Sequence, residues 1–288
     1  MVRALLAPSV VALITGAIAV PTADRSTQPA AVSALIVDGE AAMITMAVRP
    51  ERASEFDRIL AQTRAALLRS RSAERKAQAA GWQVFKSEEM VQGNATYVMR
   101  LDPAVRGADY GFAGIIAEDS TPQAAEAGSV LREIVIAQSV LVLRPIAVPG
   151  LGGAIPAEDT ARASDARSPV LSFDTAQAAI ITVLVRPDRE ADFTATLDYL
   201  GKSLQGNGAA ARRRQAGGWK VWKGTRGFGV NTVYVMSLDP VVPRTEYDLI
   251  RLIQERFPGD IDAIFTRYRA AYVGQAVSRL TGRVDMSK

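Results

Sequence analysis

An α+β fold that uses one β-α-β-β-α-β unit twice is what this sequence predicts, and three observations carry the prediction. The chain matches itself without gaps at an offset of 137, as Val48-Arg49-Pro50-Glu51 against Val185-Arg186-Pro187-Asp188. Two nearly continuous apolar runs, 42–48 and 179–185, each lead through a proline into an amphipathic stripe. Two further short β-rich runs then flank a glycine-containing loop in each copy, the pattern of a hairpin.

The repeat extends well beyond its first match. Phe56 meets Phe193, Gly81-Trp82 meets Gly218-Trp219, Asn94 meets Asn231 and Tyr97-Val98-Met99 meets Tyr234-Val235-Met236. Leu101-Asp102-Pro103 then meets Leu238-Asp239-Pro240, and Tyr110 meets Tyr247. Self-similarity at a fixed period marks duplicated units. The two units span 38–146 and 175–286, with a linker over 147–174 that holds Pro149-Gly150, Gly152-Gly153 and Pro156.

Each unit opens on a strand whose unbroken apolar character suits burial on both faces. Pro50 and Pro187 end these strands and fit the first turn of a helix, where a missing N–H costs nothing. Phe56, Ile59, Leu60, Leu67 and Leu68 share one face of the first helix, and Phe193, Leu197, Leu200 and Leu204 one face of its counterpart. Gly81 and Gly218 open the strands 82–86 and 219–223, which pair with 95–101 and 232–238. Asp102-Pro103 and Asp239-Pro240 stop those strands, since Asp-Pro initiates turns. A helical region follows, broken by Pro258-Gly259 in the second copy, and last strands are expected over 139–143 and 275–280.

Before the repeats, Met1-Val2-Arg3 precedes an apolar run, Ala4 to Ala19, that ends in Ala17-Ile18-Ala19. A positive n-region, an apolar h-region and small residues at −3 and −1 form a signal-peptide pattern, with cleavage after Ala19 or Ala23. Interrupted by Pro8 and Gly16, the run falls short of the roughly 20 residues of a membrane span. Export to the bacterial periplasm or beyond, a signal peptide over 1–23 and a flexible segment over 24–37 are therefore expected, with no stable membrane span after cleavage.

Among 288 residues there is no Cys and no His. Disulfides, thiolate nucleophiles, Cys or His zinc sites, His-ligated haem, Ser-His-Asp triads and imidazole acid–base catalysis are thereby excluded. The net charge of +4 comes with no nucleic-acid-binding motif, so no nucleic-acid partner is expected. Acidic residues such as Glu88-Glu89 or Asp260 and Asp262 lack calcium-loop spacing, so no metal site is expected.

The β-α-β-β-α-β order is that of the ferredoxin-like unit, an antiparallel four-stranded sheet with its helices on one face. The segments Val48-Arg49-Pro50-Glu51-Arg52-Ala53-Ser54-Glu55-Phe56 and Val185-Arg186-Pro187-Asp188-Arg189-Glu190-Ala191-Asp192-Phe193 resemble the strand-to-helix start of antibiotic-biosynthesis-monooxygenase-like domains, members of the dimeric α+β barrel superfamily. The chain is also similar to a group of exported bacterial proteins that share the Ala-Ala-Gly-Trp and Asp-Pro stretches at 79–82 and 102–103. The resemblance implies two tandem ferredoxin-like repeats packed sheet to sheet as a pseudo-dimeric α+β barrel. Its haem-binding branches hold iron through a His that this chain lacks, so that activity does not carry over, and no cofactor is expected.

Function is read as an exported, non-catalytic protein that binds a small, largely apolar ligand between the two repeats. One rival is a cofactor-independent monooxygenase acting on an aromatic; another is a structural or interaction protein with no ligand. The candidate ligand-binding residues are Trp82, Tyr97, Arg100, Trp219 and Tyr234. The aromatics either line the space between sheets or form core under the helices. Arg100 alternates away from Tyr97 and Met99 and points either into that space or to water; Ser237 at its matching place argues for water. Arg212-Arg213-Arg214 read as a solvated helix end, and Asn94 and Asn231 as hairpin-shaping residues. Pairing of the repeats within one chain makes a monomer; pairing between chains makes a homodimer.

Overall fold

A computed structural model describes residues 35–155, 169–206 and 210–288. The expected signal peptide and much of the linker lie outside the described residues. After a short strand, β1 (Ile36–Val37), come β2 (Ala41–Val48), α1 (Ala53–Arg69), α2 (Ala73–Gly81), β3 (Trp82–Ser87) and β4 (Ala95–Leu101). The short β5 (Ala108–Asp109) is followed by α3 (Phe112–Ala117), α4 (Thr121–Ile134) and the long β6 (Val135–Ile146). The second half runs β7 (Ala178–Val185), α5 (Glu190–Gly206), α6 (Ala210–Gly218), β8 (Trp219–Gly224), β9 (Thr232–Leu238), α7 (Leu249–Arg256), α8 (Ile261–Ala271) and β10 (Tyr272–Asp285).

Eight strands close into an antiparallel barrel in the order β10-β3-β4-β2-β6-β8-β9-β7, so the protein is α+β with a closed barrel. The strand orders β3-β4-β2-β6 and β8-β9-β7-β10 are the same, and their registers agree: Ala42 faces Leu101 as Ala179 faces Leu238. Two seams join them, β6 to β8 over Leu143–Ile146 and β10 to β3 over Leu280–Asp285. Barrel closure thus takes place within one chain.

The double burial of β2 and β7 follows from this geometry. Alternate residues such as Ala42, Ile44 and Met46 pack under α1–α4, while Ala41 and Met43 face the barrel interior. Phe56 is fully buried on α1, and burying such a ring stabilises by about 1.5–3 kcal/mol. Leu68, expected on the same stripe, is 50% exposed, because it follows Leu67 by one residue and so stands about 100° around the helix from it, off the sheet-facing line.

Gly81 and Gly218 end helices α2 and α6 rather than opening strands. A Cβ on Gly81 would fall 1.9 Å from the Pro103 carbonyl oxygen, and one on Gly218 2.6 Å from that of Pro240. The Asp102 N–H donates to Gly81 O at 2.9 Å and the Asp239 N–H to Gly218 O at 2.8 Å. The recurrent Gly-Trp and Asp-Pro pairs are therefore two sides of one close backbone contact, which sets where Asp102 and Asp239 stand.

Candidate functional site

The strand alternation that buries Tyr97, Met99 and Leu101 under helices turns Val98 and Arg100 into the barrel. At one end of the interior the Arg100 guanidinium donates to Ser237 Oγ at 2.8 Å, to Asp239 Oδ2 at 2.5 Å and to Gln83 Oε1. Asp239 Oδ1 also accepts from Arg283 at 3.1 Å, and Lys220 pairs with Asp102 at 2.8 Å. Arg100 and Ser237 are matching positions of the two halves, 137 residues apart, so their contact lies at the approximate two-fold axis of the barrel. Both guanidiniums, of Arg100 and Arg283, lie over the Phe85 ring at 5.8 and 5.9 Å.

Beneath this cluster is a cavity of about 10 Å³, walled by Met43, Arg100, Asp102, Leu143, Trp222 and Ser237 among others. It has room for about one water-sized molecule. The rest of the interior is filled by Phe85, Val98, Ile180, Trp222, Val233 and Val235.

Of the five candidate residues only Arg100 reaches this place. Its side chain is 16% exposed and bonded through both terminal nitrogens, which corrects the solvated reading. Trp82, Tyr97, Trp219 and Tyr234 lie under the helices, not between the sheets. Trp82 packs on Tyr110 at 5.2 Å and Trp219 on Tyr247 at 5.7 Å. Neither indole N–H has a hydrogen-bond partner among the described residues. The Tyr97 ring packs on Phe56 at 4.4 Å while its hydroxyl donates to Asp57 at 2.8 Å; Tyr234 packs on Phe193 at 4.7 Å and donates to Glu190 at 3.3 Å. Burial first, then the neighbouring carboxylate, pushes Tyr97 above the usual range and Tyr234 up to about 12. Neither phenol is a base at neutral pH.

Trp222, Gln83 and Arg283 are the residues that sequence reasoning missed, and Asp239 is one it read as a turn residue. Trp222 stands three residues from Trp219 on β8, so the two indoles face opposite sides of the sheet, a signal already present in the spacing. Arg212 is buried, not solvated: it reaches Glu255 at 3.0 Å and Gln215 at 2.9 Å. Asn94 and Asn231 close the two hairpins by bridging to Val91 and Phe228.

Among the described residues no group of three or more His, Cys, Asp or Glu side chains could hold a metal ion, and no helix is long and apolar enough to cross a membrane. No family model matches the chain, and neither does any curated protein.

Solved structures do match. A provisionally named monooxygenase from Fusobacterium nucleatum aligns at TM-score 0.43 and 9% identity over 83% of this chain and 90% of that one. A second, from Lactobacillus acidophilus, aligns at 0.42 and 11% over 84% and 92%. A provisionally named chlorite dismutase aligns at 0.39 and 11% over 86% and 96%. These likenesses concern the fold, and no residue role is taken from them.

The expectation of a non-catalytic protein that takes a small apolar ligand between its repeats is corrected here. The space that the ligand would fill is occupied by the protein's own side chains.

Proposed function

We propose that this chain is a cofactor-independent monooxygenase that oxidises an electron-rich aromatic at the Arg100 end of its barrel. The observation that carries the reading is the cavity beside the Trp222 indole, sized for one small molecule and set under the Arg100 guanidinium. A diatomic such as dioxygen fits it, while the packed interior leaves no room for a ring. The aromatic substrate therefore sits at the mouth, where Arg100, Arg283 and Lys220 outnumber Asp102 and Asp239 by one charge and favour a phenolate. Asp102 lines the cavity and has the one cation Lys220 as its ion-pair partner among the described residues, so it is the carboxylate best placed to take the substrate's proton. In the balanced reaction a ring CH₂ and O₂ give a ring C=O and H₂O, so the substrate supplies every electron.

Oxygen uptake by the purified protein with a panel of anthrone-type substrates, without added flavin or metal, tests this. Uptake above autoxidation, one O₂ per substrate and lost in Arg100→Met, is expected. Uptake equal to buffer across the panel, or unchanged by Arg100→Met, overturns it. A second reading, favoured by the filled interior, is a closed structural protein with no substrate; it predicts no uptake and the same melting temperature with every member of the panel.

The same proposal takes the chain as a duplicated ferredoxin-like unit, supported by the equal strand orders and registers of its halves. It also takes the protein as exported and free of residues 1–23, supported by the n-, h- and c-region pattern. N-terminal sequencing of protein recovered from the periplasm checks this: a start at Val20 or Asp24 is expected, and a start at Met1 refutes it.

A further inference from the structure

The barrel is closed by short seams, and the long strands overrun them. Strand β6 pairs with β2 from Val135 to Leu143 but with β8 only from Leu143 to Ile146. Past that seam the Val142 carbonyl accepts from the Thr225 N–H at 2.9 Å. Over 137–141 the edge of β6 turned away from β2 has no backbone partner among the described residues. Ser139 and Val140 are exposed there, Val140 at 39%, and Ile136 just before them at 47%.

Open edges are normally guarded by charge, proline or a bulge. Here nine residues, from Val135 to Leu143, carry no charge, and the register shift beside Ile136 touches only the beginning of the strand. On β10 the residue that matches Val142, Arg279, is held at the end of its edge by Glu89, which accepts from the Arg279 N–H at 2.8 Å and pairs with its guanidinium at 2.9 Å.

We propose that the 137–141 edge of β6 pairs antiparallel with the same edge of a second copy of this chain, joining two barrels through a continuous sheet. A strand edge is completed by another strand, and its backbone groups supply the affinity. A second copy is the occupant because an uncharged edge meets itself under two-fold symmetry with no like-charge repulsion. The Val140 side chain, half exposed in one copy, becomes covered in the pair.

Sedimentation of the full-length chain across a concentration series, wild type against Val140→Lys, tests the proposal, with hydrogen exchange of the 137–141 amides as a second readout. Expected are a wild-type dimer and a monomeric Val140→Lys with the melting temperature of dilute wild type. The edge amides should exchange slowly in wild type and quickly in the variant. A wild type that is monomeric at every concentration overturns the proposal, as does a Val140→Lys chain that remains dimeric. Slow edge amides in a monomer also overturn it, because a segment of the same chain is then the cover.

Discussion

The contact between Arg100 and Ser237 joins matching positions of the two halves, so exchanging their side chains probes the barrel at its axis. Arg100→Ser removes the donors to Gln83, Ser237 and Asp239. Asp239 is 7% exposed and keeps only Arg283, at 3.1 Å. Stripping the partner from a fully buried charge costs roughly 3–5 kcal/mol, and the remaining Arg283 lowers the expected loss to about 2–3 kcal/mol. Ser237→Arg alone sets two guanidiniums at the axis, a repulsion of about 4 kcal/mol at about 4 Å and an effective dielectric of about 20. In the double exchange the guanidinium brought in by Ser237→Arg faces Asp102 as that of Arg100 faced Asp239, and the hydroxyl brought in by Arg100→Ser accepts from it. Lys220 already holds Asp102, so the rescue is partial. With only one guanidinium left at the axis, the double variant should be about 4 kcal/mol more stable than the two single losses predict, well beyond the ~0.5 kcal/mol within which independent sites add. Urea unfolding of the four proteins at neutral pH measures the coupling. Additive losses, or a double variant worse than additive, would refute the assignment of Arg100 and Ser237 to one axial site.

Trp222→Gly empties space beside the existing cavity; it should cost about 3–5 kcal/mol, and added indole should restore part of the melting temperature, while no response to indole would count against an interior shaped by that ring. Gly81→Ala should destabilise more than Gly218→Ala, by about 1–3 kcal/mol or more, because its Cβ meets the Pro103 carbonyl at 1.9 Å against 2.6 Å at Pro240; equal denaturation midpoints would contradict this. Burial raises Tyr247 from the usual value near 10 to about 12, so the folded state holds that proton while the unfolded state loses it. Stability from this group is intact below pH ~10 and falls by about 1.4 kcal/mol per pH unit up to pH ~12, and Tyr247→Phe should flatten that slope in urea titrations at high pH.

Local order was legible because it rests on local patterns. The hairpin strands Ala95–Leu101 and Thr232–Leu238 stand where alternation and the Asp-Pro stops put them, and Pro258-Gly259 separates α7 from α8. The last strands run further than expected, Val135–Ile146 and Tyr272–Asp285 against 139–143 and 275–280. Their added ends pair with the other half or overhang the seam, and neither condition leaves an apolar period to read. Arg212 was hidden for the same reason: its partner Glu255 is 43 residues away on another helix. Trp82 and Trp219 were assigned to two environments at once because period two says that residues share a face but not which face lies under helices. Trp222, offset by three from Trp219, could have been separated from it by parity alone.

The least legible step was Arg100, and its failure has a physical cause. Replacement of Arg by Ser in the second half suggested a position that water could tolerate either way. Near a two-fold axis the inference reverses, since a residue placed there meets its own counterpart. Two inward arginines at 100 and 237 would face each other across the barrel with two aspartates already partnered by Lys220 and Arg283. Divergence at that one position converts repulsion into a hydrogen bond and an ion pair, and it favours the pairing of unlike halves over like ones. At 100 and 237, unequal residues at matching places of the two halves therefore mark the axis and not the surface.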